Sequence, residues 1–202
     1  MIVFAAIAPH PPILLPSVGS ADDRQKVKKT LTALVVLAER FAKAKAEAIV
    51  ISSPHPDWGF AVPLYFLARD FRGKITTIMT DFASPADHFE RGKNFFKSLD
   101  KDRRYAFIAS GDLSHCLKAD GPYGFNPDGP QFDKALRTYL VKKDIDNLLA
   151  LDEKFPAAGE CGLRSFAFLL GALAASKINW RAEILSYEKP FGVGYLVANF
   201  LC

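Results

Sequence analysis

Three of the chain's 4 histidines follow an apolar run. Ile2-Val3-Phe4-Ala5-Ala6-Ile7-Ala8 leads into Pro9-His10-Pro11-Pro12, and Ala48-Ile49-Val50-Ile51-Ser52-Ser53 leads into Pro54-His55-Pro56. Ala106-Phe107-Ile108-Ala109 leads into Ser110-Gly111-Asp112-Leu113-Ser114-His115. A carboxylate and a thiol, Glu160 and Cys161, stand together between two glycines farther along. Neutral imidazole is the commonest protein metal ligand. Two imidazoles and a carboxylate on one face of an ion, with the remaining positions open, make the arrangement of non-haem ferrous oxygenases. The spacing is long and irregular, so a metal site and a set of merely hydrogen-bonded histidines both remain open on the pattern alone. His88 is read the second way, as a hydrogen-bonded side chain on an amphipathic helix beside Asp87 and Glu90.

The elements that would carry these residues follow from periodicity. Unbroken apolar runs of four to seven residues read as central strands covered on both faces. Proline fixes φ and restricts the residue before it, so His10 and His55 are expected on stiff turns at the carboxyl ends of core strands. In open α/β sheets that edge is where ligands bind. Ser20 is expected to cap a helix carrying Val27, Leu31, Leu34, Ala38 and Phe41 on one face. Ala61 to Leu67 reads as a strand or a short buried element, and Lys74 to Thr80 as a strand. Further helices are expected from Pro85 towards Leu99, from about Pro130 to Lys142, from about Asp144 to Leu151, and over Leu163 to Ala175. Ala182 to Tyr187 and Gly194 to Phe200 complete the strands. The turn-rich stretch from Asp120 to Pro130 is a candidate lid, because long loops inside compact domains are usually functional. The alternation predicts an α/β fold: one three-layer α/β/α domain over residues 1–202 with a mainly parallel or mixed central sheet.

Composition removes several classes. A 202-residue chain that is 50% hydrophobic suits one globular domain, not disorder or a fibrous repeat. The net charge of +4 is dispersed, so its basic clusters read as solvated helix faces and no nucleic-acid partner is expected. No apolar stretch reaches spanning length, so no membrane partner is expected. The odd count of 3 cysteines suits a reducing compartment. Together with the lack of a signal-peptide pattern, it gives a cytoplasmic expectation. Cys116 and Cys202 carry no pattern of their own.

Four motifs, in order, resemble one family. They are Ala8-Pro9-His10-Pro11-Pro12-Ile13-Leu14-Leu15-Pro16-Ser17-Val18-Gly19, Ser52-Ser53-Pro54-His55, Ser110-Gly111-Asp112-Leu113-Ser114-His115, and Gly159-Glu160-Cys161-Gly162. Together they resemble the LigB-like family: catalytic subunits of class III extradiol ring-cleavage dioxygenases, with the related Memo-like proteins (AmmeMemoRadiSam system protein B). The resemblance implies the same three-layer fold, of the phosphorylase/hydrolase-like kind. It also implies ferrous iron, with Zn, Cu or Mn as alternatives, held by His10 and His55. His115 becomes the active-site acid/base; Asp112 either orients it or the substrate or serves the strand-end turn, and Asp57 either partners a histidine ligand or caps a turn. For the third ligand, Glu160 matches by chemistry and Cys161 by position, since Memo-like relatives have cysteine there. Adjacent residues at a helix start point about 100° apart, so the two are not expected to share one ion.

The implied reaction opens an aromatic diol beside its two oxygens with O2, with a homo-oligomer or a small accessory subunit as possible partners. Three rivals stay open. One is a Memo-like metal-binding or redox protein without ring cleavage. Another is a metal-dependent hydrolase on the same scaffold. The third is a non-catalytic interaction module, which would require an exposed apolar patch.

Overall fold

The computed structural model describes residues 1–201, and Cys202 lies outside the described residues. In chain order the elements are β1 (Ile2–Ala8), a 3-10 turn (Pro12–Leu14), α1 (Ala21–Lys26), α2 (Lys28–Ala44) and β2 (Ala48–Ser53). Next come α3 (Trp58–Leu67), β3 (Lys74–Met79), α4 (Pro85–Ser98), β4 (Tyr105–Ser110) and α5 (Asp128–Lys142). The remainder is α6 (Ile145–Leu149), α7 (Leu151–Lys154), α8 (Leu163–Ser176), β5 (Arg181–Glu188) and β6 (Tyr195–Leu201).

Six strands form one mixed sheet in the order β3-β2-β4-β1-β6-β5. The first four are mutually parallel, while β6 runs antiparallel to β1 and β5 antiparallel to β6. The expected α/β/α layering is therefore present, with helices on both faces. β1, β2 and β4 are apolar up to the serines that end β2 and β4, because both their faces are covered. Ala5 and Ile7 of β1 join Val50, Phe107, Leu136 and the α8 side chains in one core. Phe4, Ala6 and Ala8 join Ile49, Ile51, Ile108 and the α2 residues Leu34 and Leu37 in the other. Each fully buried Ile, Leu or Phe contributes roughly 2 kcal/mol. The strand order sets β2, β4 and β1 side by side with their carboxyl ends at one edge, which brings His55, His115 and His10 to that edge together. No helix among the described residues is long and apolar enough to cross a membrane.

Of the two readings of Ala61 to Leu67, the strand is overturned: the segment is helical, inside α3, with Val62, Pro63 and Leu67 buried. A short apolar run does not distinguish helix from strand. Topology decides it here: β2 and β3 are parallel neighbours, and parallel neighbours need a crossover, usually helical. Pro63 sits within α3, which still forms. Two other differences are matters of boundary. Ser20 caps a helix through a reciprocal capping box with Asp23, but that helix ends at Lys26, and the amphipathic helix is the separate α2. α5 starts at Asp128, which leaves Pro130 in its first turn, where no N–H is missed.

Candidate metal centre and active site

His10 stands two residues beyond β1, 2% exposed. Its Nδ1 lies 2.9 Å from Ser110 Oγ at the end of β4. Ser110 Oγ donates its own proton to the Gly59 carbonyl, so it accepts from His10 Nδ1–H. That fixes the tautomer: the Nε2 lone pair is free and faces Cys161 Sγ at 3.5 Å. Burial, then the neighbouring His55 and His115, lower the His10 pKa to about 3. The ring is therefore neutral near pH 7, the form that binds a cation.

His55 follows β2 on a turn closed by Ser53, whose Oγ donates to the His55 carbonyl at 2.9 Å and accepts the His55 N–H at 3.1 Å. Its ring meets His10 edge-on at 5.2 Å and stacks on Trp58 at 5.4 Å and 29°. Burial lowers its pKa as well. Asp57, at φ 51°, occupies backbone space that favours glycine. Its carboxylate makes no hydrogen bond among the described residues, so the structure does not join it to either histidine. Its role is to turn the chain into α3, through its carbonyl, which accepts the N–H groups of Phe60 and Ala61.

The structure separates Glu160 from Cys161. Glu160 accepts the Leu163 N–H at 2.6 Å and lies 3.4 Å from Arg164 Nη1, so it serves the first turn of α8 and faces away from the histidines. Burial raises its pKa to about 7. Cys161 turns the other way. Its Sγ accepts the Asp112 N–H at 3.3 Å. Single ligand atoms of His10, His55 and Cys161 lie within 4.8 Å of one another. Close backbone approach allows this: a Cβ on Gly111 would lie 2.3 Å from Gly162 Cα. Glycine at both positions lets the loop after β4 and the entry to α8 touch, and the Gly162 N–H donates to the Asp112 carbonyl at 3.0 Å.

His115 Nε2 is buried and has no hydrogen-bond partner. Its ring lies 5.0 Å from Tyr123 at 38°. Burial, then His55, lower its pKa to about 4. Asp112 faces His10 more than His115. Its Oδ1 accepts the His10 backbone N–H at 3.2 Å, and Oδ2 is 3.8 Å from His10 Nε2. Burial raises the Asp112 pKa to about 7, and the His10 N–H opposes the rise. Asp112, His115 and Cys161 form a second close cluster, with ligand atoms also within 4.8 Å.

The four residues His10, His55, Asp112 and His115 share a cavity of about 350 Å³ with Trp58, Tyr123 and Tyr195. Sequence reasoning passed over Tyr123 and Tyr195. An aromatic in a turn and one in an apolar strand carry no spacing signal. Tyr123 belongs to the loop read as a lid. That loop is tied at its base by the Leu117–Phe125 bridge and by the Asn126 N–H donating to the Cys116 carbonyl at 3.1 Å. His88 is the hydrogen-bonded residue expected: 2% exposed, Nδ1 2.9 Å from the Ser84 carbonyl, Nε2 accepting the Asp81 N–H at 3.3 Å.

The site loop is braced from behind by Asp133 of α5, fully buried, which accepts the Ser114 N–H at 2.8 Å and the Tyr187 hydroxyl at 2.6 Å. Burial outweighs those donors and raises its pKa from 3.8 to about 6. A carboxyl with a raised folded pKa stabilises the fold while protonated. Its contribution is full below the unfolded value and is lost as pH climbs through about 6. The metal-free protein should therefore lose about 2 kcal/mol of stability from this group between pH 4 and pH 7. Asp133→Asn should remove that share, as measured by denaturant unfolding at both pH values. An unchanged pH slope would contradict it.

The residues present fit a metal ion. Two neutral imidazoles and a thiol converge; burial, then the nearby Asp112, raise the thiol's pKa well above its usual value. A bound cation would reverse that protonation.

Known proteins resemble the chain in family, in sequence and in fold. The family model described as the catalytic LigB subunit of aromatic ring-opening dioxygenase matches residues 53–198. His10 precedes that span. Protein CA_C1420 of Clostridium acetobutylicum is 39% identical over 180 residues. That alignment takes in 84% of this chain but 38% of the relative, so the chain spans well under half of that protein's length. The crystal structure of the uncharacterized protein JW3007 from Escherichia coli K12 superposes with a TM-score of 0.62 at 13% identity, covering 98% of this chain and 99% of that one. At such identity the likeness is one of fold. The match over residues 53–198 takes in β4, α8 and the site residues His55, Asp112, His115 and Cys161, and on it the chain belongs to the LigB family, that of the catalytic subunits of aromatic ring-opening dioxygenases.

Proposed function

We propose that the chain is a metal-dependent oxygenase that opens the ring of an aromatic diol with O2, with ferrous iron held by His10, His55 and Cys161. The observation that carries this reading is the convergence of those three ligand atoms within 4.8 Å, beside a His115 Nε2 that has no partner. When bound, the ion supplies the path by which electron density passes between diol and dioxygen. The chain's own residues do the rest. Ser110 holds the His10 ring so that Nε2 faces the site. Trp58 and Tyr123, lying against the His55 and His115 rings, flank the cavity that a flat ring would enter. The His115 ring, neutral near pH 7, takes a proton from a diol hydroxyl and returns it to the opened product.

The test is oxygen uptake by anaerobically purified, ferrous-loaded protein against a panel of catechols. Uptake that tracks one catechol and is lost in His115→Ala supports the reading. No uptake from protein with stoichiometric metal overturns it.

One observation favours a second reading. The side chain facing the histidines is a thiol, not a carboxylate, and thiolate shifts preference towards zinc or copper. A Memo-like metal-binding or redox protein without ring cleavage would then show Cys161-dependent copper binding and no reaction with catechols.

A further inference from the structure

We propose that Tyr195 is a substrate-binding group whose hydroxyl donates a hydrogen bond to one oxygen of the bound diol; this rests on the oxygenase reading above. Tyr195 opens β6, which pairs antiparallel with β1 through Ile7↔Ala198 and Ala6↔Asn199. Continued past Ala8, that register brings Tyr195 level with His10. The residue is 3% exposed, and it lines the same cavity as His10, Asp112 and His115.

Its hydroxyl has no hydrogen-bond partner among the described residues, and it is not among the fully sealed polar atoms. A tyrosine that is otherwise buried normally finds a partner for its hydroxyl, because leaving it bare costs about 1–3 kcal/mol. The same hairpin provides the contrast: the Tyr187 hydroxyl on β5 is satisfied, donating to Asp133 at 2.6 Å. Tyr187 is structural. Tyr195 presents an uncommitted hydroxyl to the cavity. Burial, then the Asp112 carboxylate, push its pKa up, so it stays protonated and donates.

The site thus offers a diol two complementary groups. The His115 ring accepts a proton, and Tyr195 Oη gives a hydrogen bond. A donor favours an oxygen that carries charge. Tyr195 should therefore favour the ionised diol over the neutral one.

The experiment uses 4-nitrocatechol, whose visible spectrum reports its ionisation, titrated anaerobically into ferrous-loaded wild type, Tyr195→Phe and Tyr187→Phe. Expected for Tyr195→Phe is about tenfold weaker binding and a pH midpoint for ionisation of the bound probe about one unit higher. Tyr187→Phe should lower stability and leave the bound spectrum unchanged. Wild-type binding matched by Tyr195→Phe in affinity and midpoint overturns this proposal alone. No binding of the probe to wild type overturns the oxygenase reading and this proposal with it.

Discussion

Cys161→Ala protein should bind ferrous iron about 100-fold more weakly than wild type, whereas Glu160→Gln protein should bind it with near wild-type affinity. Substitution of a group that only supports a ligand typically costs 10–100-fold in affinity, and loss of a ligand itself costs at least the upper end of that. Cys161 Sγ is 3.5 Å from His10 Nε2, and its removal leaves two imidazoles. Glu160 is engaged with the Leu163 N–H and Arg164. Its neutral amide should cost helix stability of about 1 kcal/mol and nothing at the ion. Metal content after dialysis against a weak chelator, with unfolding midpoints measured in parallel, separates the two effects. If Glu160→Gln lost metal and Cys161→Ala kept it, the side chains would have to exchange places on binding, and the assignment would fall. The comparison also bears on which metal is native, since a carboxylate favours iron or manganese and a thiolate favours zinc or copper.

His115→Ala should lower the rate of diol-dependent oxygen uptake by roughly 10²–10⁴, the range for removing a general acid–base group, while metal content stays at the wild-type level. His115 belongs to the second close cluster, with Asp112 and Cys161, and is not in the first, with His10 and His55. Its Nε2 makes no bond that the fold depends on. The substitution should thus be tolerated structurally and felt in turnover. His10→Ala is the comparison. It removes a ring held by Ser110 and facing Cys161, so both metal and activity should go. Metal loss in His115→Ala as large as in His10→Ala would make His115 a ligand and leave the site without its base.

The sequence by itself determined the strands that bear the histidines. Uninterrupted apolar runs such as Ile2 to Ala8 can only be satisfied with both faces covered, and the prolines around His10 and His55 end them in one place. The layering followed, as did the candidate set His10, His55, His115 and the Glu160-Cys161 pair. Tertiary structure decided what one-dimensional patterns do not encode. α3 is helical because β2 and β3 are parallel neighbours, a relation set by the whole sheet. Cys161, not Glu160, turns to the histidines because Gly111 and Gly162 meet backbone to backbone while the carboxylate is taken by the first turn of α8. Trp58, Tyr123 and Tyr195 come from a helix start, a loop and a strand far apart in the chain, and share a cavity only once the sheet edge is assembled. Local periodicity fixes which face of an element is buried. The direction of one side chain among its neighbours depends on contacts between elements far apart in the chain, such as Gly111 with Gly162 and Cys161 with His10, and only the folded chain supplies them.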